Sequence, residues 1–445
     1  MTAVNDVSAS APLTAEEARL RPVVGRGALA ASIVNVIVGG GIFVLPAAVA
    51  GHIGQLAPMA YILGALVIVP VAMCFALSGR RVLTTGGPYA YAESAFGPFA
   101  GFLAGIMMWL GNVTASAGVA VAMYGQLARL WPSLATPVAR ATILSSVFAI
   151  LFLLNARGMR LGMRAIVTLA VLKLTPLVLL VAIGIWFIDP SQVLPAHQAV
   201  DPGALGAALV LVMFAYSGME TALTPAAEMR DARRDLPMAT LWATAFVVVL
   251  YFGLQAVAQG LLGPGLAGDA SPLASAAARL HPAAGTALLV TAAISMLGFL
   301  QGNLVGTSRL IFALARDRQL PTPLARVSRD TAVPVVALAA HSIVAWGLAM
   351  LGSFGTLALL SGGANCLLYA MVALSAWRLA RRDPAPTSGQ RALENIAPPF
   401  AFLALCGIAA TLGATEWWVL LASIAVISVF YALGKMTRAR TPIPK

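Results

Sequence analysis

The stretch VIVGGGIFVLP (residues 36–46) interrupts the first long apolar segment of the chain with three consecutive glycines. The whole segment, residues 28–51, is long enough to span a bilayer, since about 20 apolar residues cover roughly 30 Å of hydrocarbon. Each glycine costs about 1 kcal/mol relative to alanine inside a helix, and Pro46 adds a second disruption. The sequence therefore predicts two half-helices that meet at a break. Because irregular backbone within a bilayer persists only where it lines an enclosed or wet cavity, this break is a candidate binding site.

The composition predicts an all-α integral membrane protein. The 445 residues are 60% hydrophobic and 10% charged, with a mean hydropathy of +0.89, outside the range of soluble domains. Residues 1–26 are expected to form a polar cytoplasmic tail and not a signal peptide. Apolar runs of spanning length recur and predict twelve transmembrane helices, near residues 28–51, 56–78, 98–127, 138–155, 165–188, 204–229, 238–262, 284–314, 334–352, 355–377, 397–413 and 416–434.

The net charge of +12 is explained by membrane topology. With the amino terminus in the cytoplasm, the 28 Lys and Arg residues fall in cytoplasmic loops and tails, except Arg129, Arg140, Arg279 and the intramembrane Lys173. This asymmetry is typical of multi-pass proteins of the cell (inner or plasma) membrane and predicts that both termini are cytoplasmic. A nucleic-acid partner is therefore not needed to explain the charge.

The sequence offers no motif for a cofactor, a metal or catalysis. The three cysteines and four histidines lack ligand spacing, and no GxxxxGKS/T run is present to hold nucleotide phosphates. We therefore expect a protein that is not an enzyme, that has no cofactor, and that is not driven directly by ATP.

A second interruption, FAYSGME (residues 214–220), places a glycine and a carboxylate inside the sixth span. A carboxylate there costs about 2.5–3.5 kcal/mol, so it needs a partner or a cavity. The first and sixth spans hold matching positions in two five-helix halves, as expected of secondary transporters built from inverted repeats. This predicts a first repeat at 27–188, a second at 189–378, two peripheral helices at 379–435 and a cytoplasmic tail at 436–445.

Four stretches together resemble the amino acid–polyamine–organocation superfamily of permeases and antiporters. GGGIFVLP (39–46) is similar to the first-helix signature of that family, and TGGPYAY (85–91) with FGP (96–98) to the loop before its third helix. GME (218–220), continuing to RRDLP (233–237), resembles its sixth helix, and SRL (308–310) with ARD (315–317) the end of its eighth. The resemblance covers roughly residues 26–435. It implies ten core helices in two inverted repeats, two peripheral helices, and transport of amino acids or related amines by alternating access.

The backbone at the two breaks suits a zwitterion. The amides of Gly40, Gly41 and Ile42 lose their helical acceptors at a positive half-helix end, so they suit a carboxylate. Carbonyls around residues 36–38 and 214–217 suit an ammonium. The alternative is that the glycines only permit close helix packing, although packing usually spaces glycines by four. The backbone positions predicted to bind substrate are Ile37, Gly39, Gly40, Gly41, Ile42, Ser217 and Gly218.

Four side chains are further substrate-site candidates. Glu220 has three open roles: contact with a cationic substrate, titration, or bracing of the unwound segment. Phe214 lies where the family often places an aromatic over the substrate, with plain packing as the alternative. Asn112 matches a WxGN stretch of the arginine/agmatine exchangers, where the asparagine faces substrate; a helix-to-helix hydrogen bond is the alternative. Asn303 falls where those exchangers carry a tryptophan that stacks on guanidinium, which counts against arginine or agmatine.

Lys173 lies eight residues into the fifth span, about 12 Å deep at roughly 1.5 Å per residue. It resembles the fifth-helix lysine of proton-coupled and exchanger members of the superfamily, which implies proton coupling and argues against sodium coupling. Snorkelling to the cytoplasmic face is the alternative. Glu228, Arg80 and Arg309 are gating candidates, or else solvated charges that set topology.

These observations predict a secondary active transporter for a neutral or hydrophobic L-amino acid, working by proton-coupled symport or by exchange. A basic amino acid or polyamine antiporter is the alternative; Asn112 and Glu220 favour it, and Lys173 and Asn303 weaken it. The expected partners are the small-molecule substrate, a coupled proton and the lipid bilayer, with a second copy of the chain as a candidate.

Overall fold

The computed structural model describes residues 26–82, 87–158, 163–193, 201–222, 232–328, 330–331, 333–383 and 387–440. Within these ranges the regular structure is helical and contains no β-strand. The α-helices are α1 (Arg26–Ile37), α2 (Leu45–Ile53), α3 (Ala57–Gly79), α4 (Pro88–Phe96), α5 (Pro98–Leu130), α6 (Pro137–Ala156), α7 (Met163–Gly184), α8 (Pro202–Ala215), α9 (Met219–Ala222), α10 (Ala232–Leu262), α11 (Pro272–Leu280), α12 (Pro282–Arg316), α13 (Val335–Leu351), α14 (Phe354–Arg382), α15 (Ser388–Ala409) and α16 (Ala414–Arg440).

Proline and capping side chains fix where many of these helices begin. Proline is favoured at the first helical position because its missing amide has no partner there in any case. Asp201 caps α8 by accepting from the amide of Ala204 at 2.8 Å, and Ser353 caps α14 by accepting from the amide of Thr356. The helices that begin at a proline are α4, α5, α6, α8, α11 and α12.

Both predicted breaks are confirmed. α1 ends at Ile37, a single 3-10 turn covers Gly41–Phe43, and α2 begins at Leu45. In the sixth span α8 ends at Ala215, and α9 begins at Met219 after a turn. Gly218 in that turn has a φ of +121°, a conformation that favours glycine.

Every predicted span overlaps a helix, or a pair of helices at the two breaks. Seven of the described helical stretches are by themselves long and apolar enough to cross a membrane: Leu45–Gly79, Pro98–Leu130, Pro137–Ala156, Met238–Leu266, Pro282–Arg316, Phe354–Arg382 and Ser388–Ala409. The total of twelve spans and the inverted repeat stay predictions. The hydropathy pattern does not predict α4 or α11, because each has only nine residues, too few to span a membrane.

The interior of the bundle is built around α5 and α14, which are buried along most of their length. α5 packs against both α12 and α14, and α10 packs against α1 and α3. α6 and α7 are peripheral and expose large apolar side chains such as Ile150, Leu172 and Leu179. Exposed apolar surface of this extent is expected where lipid is the solvent.

Candidate substrate site

A cavity of about 510 Å³ lies where the two helix breaks meet α5, α7, α12 and α14. Lys173 and Arg309 line it as well. The structure therefore brings the predicted positions together, while their roles in binding stay predictions. The predicted substrate-site residues all line this cavity: Ile37, Gly39, Gly40, Gly41, Ile42, Asn112, Phe214, Ser217, Gly218, Glu220 and Asn303.

The backbone amides at the first break have no acceptor within the part of the chain that is described. No hydrogen bond is donated there by the amides of Gly40, Gly41 or Ile42, and no side chain caps the 3-10 turn. Orphan amides at a helical start carry a partial positive charge and attract anions. The geometry therefore agrees with the predicted carboxylate cradle.

The same glycines are also closely packed. A Cβ on Gly40 would lie 2.6 Å from Cγ1 of Val119 and 2.7 Å from Cγ of Met296, and one on Gly41 would lie 2.7 Å from Cε1 of Phe214. Close packing and amides without an acceptor in the described part of the chain thus occur at the same residues. The two interpretations of the triple glycine are compatible.

We expect Gly40→Ala to lower the uptake rate at least tenfold with the protein still present in the membrane. Its methyl group would push the backbone away from Val119 and Met296, at about 1–3 kcal/mol for an overpacked site. Gly125→Ala on α5 is the matched control, because no atom lies within 4 Å of a Cβ there. Initial uptake rates normalised to membrane expression test this. Equal rates for the two variants would contradict it.

The carbonyls predicted to hold an ammonium are partly occupied by the protein itself. The carbonyl of Ile37 accepts from the Tyr251 hydroxyl at 2.9 Å and from the Gly39 amide at 2.7 Å. The carbonyl of Phe214 accepts from the amide and the hydroxyl of Ser217, at 3.2 Å and 2.7 Å. Within the described residues, the carbonyls of residues 36–38 that accept no hydrogen bond are those of Val36 and Val38.

Glu220 braces the second break. Its side chain is 3% exposed. The amide of Gly218 donates to both carboxylate oxygens, at 3.0 Å and 2.9 Å, and the hydroxyl of Tyr369 on α14 donates to Oε2 at 2.7 Å. Of the three roles open for Glu220, bracing of the unwound segment is the one that the contacts display.

Lys173 is turned into the bundle and not toward a membrane surface. The residue is buried, and its Nζ donates to the carbonyl of Asn35 on α1 at 2.5 Å. The amine therefore links α7 to the half-helix that precedes the glycine break. This geometry disfavours snorkelling, and proton coupling stays a prediction.

The side-chain amides of Asn112 and Asn303 form a polar wall between α5 and α12. Asn303 donates to the Asn112 Oδ1 at 3.0 Å and accepts from the hydroxyl of Thr307 at 2.7 Å, while Asn112 donates to the carbonyl of Met108. Asn112 thus makes the helix-to-helix hydrogen bond and also lines the cavity. Opposite this wall, Phe214 lies against Gly41 and makes an edge contact with Phe354, with ring centroids 6.1 Å apart.

Of the gating candidates, Arg80 and Arg309 share no contact in the part of the chain that the structure describes. The guanidinium of Arg80 lies 3.6 Å from Glu394 on the peripheral helix α15, which also pairs with Arg81. Arg309 is exposed and lines the cavity. Glu228 lies outside the described residues.

Sequence reasoning missed several polar residues at or beside the cavity. Asn365 and Tyr251 line it, and Tyr369 holds Glu220. A signal for two of them exists in the tenth span, where Ser361, Asn365 and Tyr369 follow one another at intervals of four and so share one helix face. The seventh span carries the same kind of signal for Tyr251, since Gln255 and Gln259 follow it at intervals of four and share its helix face.

Comparison with known proteins decides the family. A family model described as amino acid permease matches residues 25–438. The chain belongs to the amino acid permease family. The predicted membership in the superfamily is thereby confirmed.

Several curated relatives of this permease are transporters. It is 24% identical over 389 residues to the serine/threonine exchanger SteT of Bacillus subtilis, covering 85% of this chain and 86% of that protein. It is 33% identical over 306 residues to the uncharacterized transporter Rv1999c of Mycobacterium tuberculosis, covering 64% and 66% of the two chains. It is also 31% identical over 352 residues to the uncharacterized transporter Mb2001c of Mycobacterium bovis, covering 71% and 72%.

Proposed function

We propose that this permease is a secondary active transporter that carries a neutral L-amino acid across the cytoplasmic membrane by alternating access. The observation that carries the proposal is the row of amides at residues 40–42, unpaired within the described part of the chain, on the wall of the cavity. Such amides suit the α-carboxylate that every amino acid has. The family membership supports amino acid transport independently of that geometry.

The charge of the cavity favours a neutral substrate over a basic one. Its ionisable side chains are Lys173, Glu220 and Arg309. Glu220 is held by Gly218 and Tyr369, so the carboxylate that a cationic substrate would need is already used by the protein. The relative SteT, a serine/threonine exchanger by name, also handles neutral amino acids. Glu220 and Asn112 remain the features in favour of a basic amino acid or polyamine antiporter.

Proton-coupled symport and exchange are both retained as mechanisms. Lys173 supports a role for the proton because its amine lies on the cavity wall and contacts α1, one of the half-helices at the break. Exchange is supported by the relative SteT, which is named as an exchanger.

We expect the reconstituted permease to take up neutral amino acids at least tenfold faster than the amines formed by their decarboxylation. Each hydrogen bond to a charged carboxylate is worth about 1.5–3 kcal/mol, and an amine cannot form one with residues 40–42. Uptake into liposomes would be measured for threonine, valine and leucine, for their amines, and for arginine, agmatine and putrescine. The measurements would be repeated with a pH gradient, which drives proton-coupled symport, and with substrate inside the liposomes, which drives exchange. Uptake of agmatine or putrescine without any neutral amino acid would overturn the proposal.

A further inference from the structure

Asn365, in the middle of α14, is a buried residue whose side-chain amide makes no hydrogen bond within the described part of the chain. Its side chain lines the cavity, and the residue is 3% exposed. No hydrogen bond joins its amide to any other residue in the described part of the chain, although its neighbours on the same helix face are bonded. Buried polar side chains are usually satisfied, so an exception at a cavity wall points to a ligand.

The position of Asn365 is fixed from both sides along its helix. One turn before it, the hydroxyl of Ser361 donates to the carbonyl of Gly111 at 2.8 Å, and one turn after it, the hydroxyl of Tyr369 donates to Glu220. The Asn365 Oδ1 also lies close to Gly111, where an added Cβ would be only 2.6 Å away. The side-chain amide is thus held in place by packing and not by hydrogen bonds of its own. Its donors and its acceptor are therefore available to a ligand in the cavity.

The chemistry of a free amide defines what would satisfy it. A primary carboxamide has two N–H donors and an oxygen acceptor, so its best complement both donates and accepts. Hydroxyl and carboxamide side chains have this property, whereas an aliphatic side chain would leave the amide without a hydrogen-bond partner. The neighbouring Asn112 and Asn303 already bond to each other and add polarity to the same cavity.

We propose that Asn365 is a specificity-determining residue that hydrogen-bonds the side chain of a neutral amino acid carrying a hydroxyl or carboxamide group. The inference rests on the proposed function and narrows its substrate class. The contact is made from α14, whereas the α-carboxylate would be held at the first break. Recognition of the substrate side chain and recognition of its carboxylate can therefore be tested independently.

The test compares threonine with valine, which have the same shape but differ in one hydroxyl. Uptake and ligand-induced thermal stabilisation would be measured for wild type, Asn365→Leu and Ser375→Ala. We expect wild type to prefer threonine at least tenfold and Asn365→Leu to lower that ratio at least tenfold, with valine uptake retained. Ser375→Ala removes a hydrogen bond to the Met371 carbonyl further along α14, away from the cavity, and should leave the ratio unchanged even if the amount of protein falls.

Gly111→Ala serves as the second variant, for the case that Asn365→Leu does not fold. Its methyl group would displace the Asn365 Oδ1 and should also reduce the preference for threonine. Equal handling of threonine and valine by wild type, or an unchanged ratio in a folded variant at either position, would overturn the inference while neutral amino acid transport stands. Uptake of no neutral amino acid at all would instead remove the proposed function, and this inference with it.

Discussion

Replacing Glu220 with alanine is expected to lower uptake more than a hundredfold, while Glu220→Gln keeps at least about a tenth of the wild-type rate. The carboxylate accepts from two donors, the Gly218 amide and the Tyr369 hydroxyl. Hydrogen bonds to a charged group are worth about 1.5–3 kcal/mol each, and 1.4 kcal/mol is a factor of ten. Alanine loses both bonds and leaves a polar turn unsupported beside the cavity.

The Glu220→Gln variant distinguishes a bracing role of residue 220 from a role of its negative charge. It keeps an oxygen acceptor for the Gly218 amide and an amide that can bond the Tyr369 hydroxyl, but it carries no charge. Tyr369→Phe is the matched variant on the other side of the contact; it removes one of these hydrogen bonds and should lower uptake at least about tenfold. Rates would be measured in liposomes with equal amounts of reconstituted protein. If glutamine were as inactive as alanine, the charge of Glu220 would be needed, and contact with a cationic substrate would regain support.

The two helix breaks could be predicted from the sequence because their causes are local. Consecutive glycines in GGG (residues 39–41) disfavour a helix wherever they stand, and Gly218 needs a backbone conformation that other residues rarely adopt. The intramembrane residues Lys173 and Glu220 could equally be identified from the sequence, because a charged side chain in an apolar span is costly and needs a partner or a cavity. All of them line the cavity.

The partners of those residues could not be predicted, because they depend on how distant helices pack. Nothing local to Lys173 indicates that its amine bonds to the carbonyl of Asn35, 138 positions away. The bond between Tyr369 and Glu220 likewise joins positions 149 apart. The role of a carboxylate such as Glu220 follows from these contacts and not from its place in the span.

The helices α4 and α11 were missed for a different reason. Each has nine residues, too short for a search based on spanning length. Their buried faces pack on α5 and α12, so they are stabilised by tertiary contacts and not by hydropathy alone. In α4, Tyr89 donates to the Asp317 carboxylate at 2.8 Å, which fastens this helix to the end of α12.

The second large effect is expected at Lys173, where alanine should lower uptake more than tenfold and flatten its dependence on external pH. Two functions meet in the amine: it donates to the Asn35 carbonyl beside the first break, and it is the cation that the proposal couples to the proton. Alanine removes both. Leu172→Ala, at an exposed neighbouring position on α7, is the matched control and should retain both uptake and its pH profile.

Arginine at position 173 separates these two functions, because its guanidinium donates hydrogen bonds but does not release a proton. If Lys173 only ties α7 to α1, Lys173→Arg should recover uptake together with a normal pH profile. If the amine exchanges a proton during the cycle, Lys173→Arg should recover protein and substrate binding but not pH-dependent uptake. Initial rates over a series of external pH values, with substrate binding measured in parallel, distinguish the two outcomes. We expect the second. Active Lys173→Ala with an unchanged pH profile would exclude a coupling role and leave exchange as the mechanism that the cavity supports.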